Sequence, residues 1–157
     1  MKNILLIIGL FALLAVVFYF TQGAINGTPL TLPGFGKSAK LTVNNHTFTL
    51  SVADTEKKKE IGLSGQKSLE KNKGMLFTYE TKTLPAFWMR NMKFPIDILF
   101  ISDGKIVTLY KDVKPPVSNE QLTLYEPTQP VDAVVEINAG LSEQYKLNVG
   151  DTATISL

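Results

Sequence analysis

Residues 96–101 read Ile-Asp-Ile-Leu-Phe-Ile and lead through Ser102-Asp103-Gly104 into a second apolar run at 106–110. In an extended chain Leu99 and Ile101 face one way and Ile96, Ile98 and Phe100 the other. A strand apolar on both faces is central in its sheet, so something must cover each side. The Asp103-Gly104 pair supplies the tight turn of a hairpin. Further short strands are expected at 41–43 and 48–52, alternating in polarity around an Asn44-Asn45 turn, and at 75–79, 86–89, 131–137 and 153–157. Asp54 or Thr55 can cap a helix that starts at Glu56 and crosses Lys57-Lys58-Lys59-Glu60 as a solvated face, with Gly62 and Gly65 as stops. One more turn is expected over 68–72 and a short helix over 141–146. The proline-bearing stretch 112–130 reads as a long loop. The expected fold is mainly β: a compact, strongly twisted or partly closed β-barrel-like domain with one or two short helices.

Residues 4–20 contain only Ile, Leu, Phe, Ala, Val, Gly and Tyr, and no charge follows until Lys37. The run sits near the lower limit of roughly 17 to 25 residues for a membrane-spanning helix and exceeds the roughly 7 to 15 of a signal-peptide core. An N-terminal transmembrane anchor over 1–22 is expected, with a cleaved signal peptide as the alternative. Lys2 and the amino terminus orient the N-terminus to the cytoplasm and the rest of the chain outward. Residues 23–38, rich in Gly, Thr and Pro, read as a flexible tether, and 39–157 as a single domain.

Composition removes several chemistries. Sixteen Lys and Arg against fourteen Asp and Glu leave a net charge of +2, which argues against nucleic acid as a partner. The chain has no cysteine, so disulfides, thiolate zinc sites and a catalytic thiol are excluded. Its single histidine, His46, sits by the first hairpin turn and is expected to be exposed; no metal site and no cofactor are expected. No serine lies in a nucleophile-elbow pattern and no phosphate-cradling glycine loop is present.

The order Gly62-Leu63, Gly74-Met75-Leu76-Phe77, Phe87-Trp88-Met89-Arg90-Asn91, Pro95-Ile96-Asp97-Ile98, Glu136-Ile137-Asn138-Ala139-Gly140 and Val149-Gly150-Asp151 resembles the domain of unknown function 192 family. The resemblance spans about residue 41 to the C-terminus. It implies a small, mostly β domain of bacteria and archaea, commonly behind a signal or anchor segment, with no established activity. Three positions depart from the family pattern. Ser64 and Gln66 stand where Met and Arg are usual, and Met92 stands where Thr is usual.

Candidate ligand-binding residues are Trp88, Arg90, Asn91, Asp97, Glu136 and Asn138. Asp97, between two isoleucines, needs a partner if buried, and Arg90, the lone arginine, could supply a bidentate ion pair. Glu136 could instead pin the turn at 138–140 through backbone N–H groups. A tryptophan beside Arg90, Asn91 and a carboxylate suits stacking on a sugar with a few fixed hydrogen bonds. The expected function is that of a membrane-anchored extracytoplasmic domain binding a small polar or carbohydrate-like ligand or a short peptide. Two alternatives are a glycan hydrolase with Asp97 and Glu136 as paired carboxylates, and a structural or partner-docking domain of an envelope assembly. Protein partners are not legible in the sequence.

Overall fold

The computed structural model describes residues 36–117 and 122–157. The expected anchor over 1–22 and most of the tether lie outside these residues. Among the described residues no helix is long and apolar enough to cross a membrane.

The chain runs β1 (Ser38–Val43), β2 (His46–Ala53), α1 (Glu56–Ile61), β3 (Lys73–Thr83), β4 (Ile96–Ser102), β5 (Lys105–Val113), β6 (Val131–Asn138), α2 (Leu141–Gln144) and β7 (Thr154–Ser156). The strands form one seven-stranded sheet in the order β5-β4-β6-β3-β2-β1-β7. Neighbours are antiparallel except β2 and β3, which α1 connects as a parallel crossover. The sheet curls into a half-barrel. Its β5 edge meets the segment leading into β7 through Gly150 N–H to Ile106 O at 2.8 Å and Ala153 N–H to Gly104 O at 2.8 Å.

Local sequence sets these elements. Asn44 and Asn45 adopt φ of 49° and 64°, and Asp103 and Gly104 adopt 51° and 68°, so each hairpin closes on a two-residue turn with the left-handed backbone these residues tolerate. Thr55 Oγ1 accepts the Lys58 N–H at the start of α1, and Gly62 ends it at φ 51°. The lysine face is partly paired: Lys58 reaches Asp54 at 2.7 Å and Lys59 reaches Glu56 at 3.0 Å. Hydrogen bonds from Lys58 and Lys37 hold the Asp54 carboxyl well below the usual carboxylate range. Two expected elements differ. Residues 68–72 give only a turn before β3, and 86–89 form no strand beyond one bridge between Phe87 and Tyr125. His46 is half-buried and stacks on the Tyr145 ring at 3.9 Å, because the curl brings the end of α2 against the first hairpin.

β4 is buried along its whole length. Leu99 and Ile101 join a core inside the curl with Leu41, Phe48, Leu50, Leu76 and Val135. Ile96, Ile98 and Phe100 join a second core with Met75, Phe77, Leu63, Met89 and Val134, covered by the end of α1 and the 84–95 loop. Gly74 lets β3 approach β6: a Cβ there would lie 2.6 Å from both the Glu136 carbonyl oxygen and Leu50 Cδ2.

Candidate functional site

Asp97 and Glu136 both emerge from the middle of the sheet, but on opposite faces. Asp97 pairs in register with Ile137 and shares the inner face, whereas Glu136 pairs with Ile98 on β4 and Met75 on β3 and shares the outer one. Two carboxyls separated by the sheet cannot flank one glycosidic bond, so the paired-carboxylate arrangement is corrected.

Asp97 is fully buried, and its partners are backbone amides rather than Arg90. Oδ1 accepts from Asp112 N–H at 2.8 Å and Gly140 N–H at 3.2 Å, and Oδ2 accepts from Ser142 N–H at 2.8 Å. Asp112, at φ 50°, sits in a bulge where β5 carries one residue more than β4, and Gly140 N-caps α2. One carboxylate therefore locks β4, the β5 bulge and the β6–α2 connection together. This is the turn-pinning role that sequence reasoning offered to Glu136. Arg90 is exposed and forms no ion pair among the described residues; its guanidinium lies 5.9 Å from the Trp88 ring centroid. Asn91 is an exposed turn residue at φ 59° whose carbonyl accepts from Gly65 N–H. Asn138 Nδ2 donates to the carbonyls of Leu69 and Glu70, both at 3.0 Å, and so pins the loop before β3.

Of the six candidate residues, two meet at a cleft. Glu136 forms part of its floor and Trp88 part of its rim, in a cavity of about 270 Å³ that also includes Phe77, Tyr79, Phe87, Met92 and the α1 residues Glu56, Lys59 and Glu60. Trp88 is 40% exposed although large and apolar, so it offers a free ring surface. The loop carrying it is fixed from two sides. Phe87 and Tyr125 exchange backbone hydrogen bonds at 3.0 and 2.9 Å, and Ser64 Oγ donates to Arg90 O at 3.1 Å. Edge-on contacts of Phe87 with Phe77 at 4.9 Å and Phe100 at 5.7 Å anchor it to the sheet.

Glu136 is 6% exposed, and among the described residues its Oε2 has no hydrogen-bond partner. Burial among apolar neighbours raises its carboxyl from the ordinary 4.5 to about 8, which keeps it protonated at neutral pH. Tyr79 is pushed up to about 12 by burial, with Glu56 and Glu136 adding to the effect. Lys59 lies 4.4 Å over the Tyr79 ring. Sequence reasoning missed Phe77, Tyr79 and Lys59. The available signal was period two along β3, which sets Met75, Phe77 and Tyr79 on one face, and that face is Glu136's only because of the non-local β3–β6 pairing. Two of the three departures from the family pattern, Ser64 and Met92, line this cleft. Among the described residues no cluster of three acidic or histidine side chains could hold a metal ion.

Fold and site together define a curled-sheet domain with an aromatic cleft floored by a neutral acid. The chain belongs to the domain of unknown function 192 family, described as "Uncharacterized ACR", whose profile matches residues 39–155. Two crystal structures are similar. One, from Sinorhizobium meliloti 1021 and described as a candidate transcription regulator, is 27% identical with a TM-score of 0.66 over 74% of this chain and 91% of that one. The other, a protein of unknown function from Novosphingobium aromaticivorans DSM 12444, is 25% identical with a TM-score of 0.69 over 82% of this chain and 94% of that one. No functionally curated protein matches the sequence.

Proposed function

We propose that this protein is a ligand-binding module, tethered to a membrane by residues 4–20 with its β domain on the extracytoplasmic side. The anchor rests on the unbroken apolar run and the charge asymmetry around it. The cleft takes a small ligand that combines an apolar or ring face, stacked by Trp88, with a polar group that reaches Glu136; a carbohydrate-like molecule or the end of a short peptide fits that description. One observation carries the reading: a buried carboxyl oxygen without a partner at the floor of a cleft walled by rings. A buried polar atom left unpaired costs about 1 to 3 kcal/mol, and a bound ligand relieves that cost.

The test is a thermal-shift screen of the full-length protein in detergent against sugars, cell-wall fragments, short peptides and amines. A ligand at a hundred times its Kd adds about 2.7 kcal/mol to the native state and moves Tm by several degrees. The binding reading expects at least one such shift that Trp88→Ala abolishes. A screen flat across all four classes, or shifts indifferent to Trp88→Ala, contradicts it.

A further inference from the structure

We infer that the cleft is built to receive a primary ammonium carried on a compact apolar body, with the ammonium N–H groups directed at Glu136. This deepens the binding reading and rests on it. In the sheet Glu136 is flanked by Met75 and Ile98, whose side chains carry no hydrogen-bond donor, and Glu136 lines the cleft, so the cleft is the side from which a donor would approach its unpartnered oxygen. Lys59 is the cation among the described lining residues, and it is engaged elsewhere, at 3.0 Å from Glu56 Oε1 and over the Tyr79 ring. The floor acid therefore has no counter-charge of its own.

The walls favour a cation over a neutral hydroxyl. Phe77, Tyr79, Phe87 and Trp88 present aromatic rings, whose faces attract positive charge, and the protein already sets Lys59 over Tyr79 and Arg90 near Trp88 at the rim. A primary ammonium adds three donors and a full charge for the carboxylate to pair with. Volume bounds the rest of the molecule. At 270 Å³ the cleft exceeds the roughly 150 Å³ of an apolar cavity that holds benzene, which leaves room for an amine on one ring or a short chain.

The proton balance follows. At neutral pH Glu136 starts as the neutral acid; when the ammonium enters, the carboxyl O–H proton leaves to solvent, and an ammonium–carboxylate pair forms with no other bond made or broken. The titratable groups sharing the cleft are Tyr79 on β3 and Glu56, Lys59 and Glu60 on α1; the lining residues of the 84–92 loop and the paired residue of β4 do not titrate. Amine affinity must then rise with pH up to about 8, by up to tenfold per unit, because only the ionised acid is competent. A neutral ligand held by the protonated acid shows the opposite trend.

Trp88 is the only tryptophan of the chain, so the tryptophan fluorescence comes from the rim of this cleft. The experiment titrates the full-length protein with benzylammonium chloride and with benzyl alcohol, equal in size and different in charge, from pH 6 to pH 8, in wild type and Glu136→Gln. The expected result is benzylammonium binding at least tenfold tighter than benzyl alcohol at pH 8, weakening by tenfold or more at pH 6, and losing tenfold or more in Glu136→Gln while the alcohol changes less than threefold. Equal binding of both probes, affinity that rises on acidification, or indifference to Glu136→Gln overturns the ammonium assignment and leaves cleft binding standing. Silence of both probes also overturns it, and the thermal screen then decides the binding reading separately.

Discussion

Replacing Asp97 with Asn removes a charge but almost no volume, so its cost isolates the hydrogen bonds. The carboxylate accepts three backbone N–H groups from Asp112, Gly140 and Ser142. An asparagine can keep its single oxygen on Asp112 and Gly140, but its amide nitrogen then faces the Ser142 N–H, donor against donor. The lost charge-assisted bond and the stranded buried donor cost about 2 to 3 kcal/mol, and weakening the other two to neutral bonds adds about 1 to 2. The sum is about 4 kcal/mol, a large share of the stability of a domain this size. Arg90→Ala, by contrast, loses only an exposed ring contact and should cost under about 1 kcal/mol. Urea unfolding followed by circular dichroism measures both, and in a thermal scan the Asn variant should melt about 15 °C lower. A cost below about 1 kcal/mol for Asp97→Asn, or equal costs for the two variants, would refute the backbone-lock account and restore the ion pair.

Gly74→Ala forces a methyl group to 2.6 Å from the Glu136 carbonyl oxygen and should destabilise by about 2 to 3 kcal/mol, read as a lower urea midpoint. Ser142→Ala keeps the N–H that serves Asp97 and deletes a buried hydroxyl with no partner among the described residues; its stability should equal or exceed wild type by up to about 1 kcal/mol, and a clear loss would show that the hydroxyl is engaged. Glu136 gives a pH signature. Its folded carboxyl is raised to about 8 from an ordinary 4.5, so the folded state binds the extra proton between these values; the stabilisation is complete below about 4.5 and is lost as pH rises through 8. Glu136→Gln should flatten that slope and be more stable than wild type by a few kcal/mol at pH 8; parallel wild-type and variant pH profiles would contradict it.

What could be read from the sequence was local or periodic. The Asn44-Asn45 and Asp103-Gly104 turns, the Thr55 cap and the two faces of β4 depend on a few consecutive residues, and the structure has them where those residues dictate. The sheet order was not legible, because the parallel β2–β3 pairing and the insertion of β6 between β3 and β4 are long-range choices with no signature in either strand. The same limit explains the site. Arg90 reads as a partner for Asp97 because it is near in sequence, yet the true partners are amides at 112, 140 and 142, and an N–H carries no side-chain identity to read. Trp88 and Glu136 were recognisable as unusual residues, but that they share a cleft with Tyr79 and Lys59 follows only from strand register and the seat of α1.

The most direct test of the cleft as a binding site is heteronuclear NMR shift mapping of the isotope-labelled protein, titrated with the strongest hit from the thermal screen. The account predicts the largest changes at the Trp88 indole N–H and the amides of Tyr79, Phe87 and Glu136, with the Asp97, Asp112 and Ser142 amides still. Changes centred on the Asp97 side of the sheet, or a saturating ligand that leaves the Trp88 indole unmoved, would contradict it.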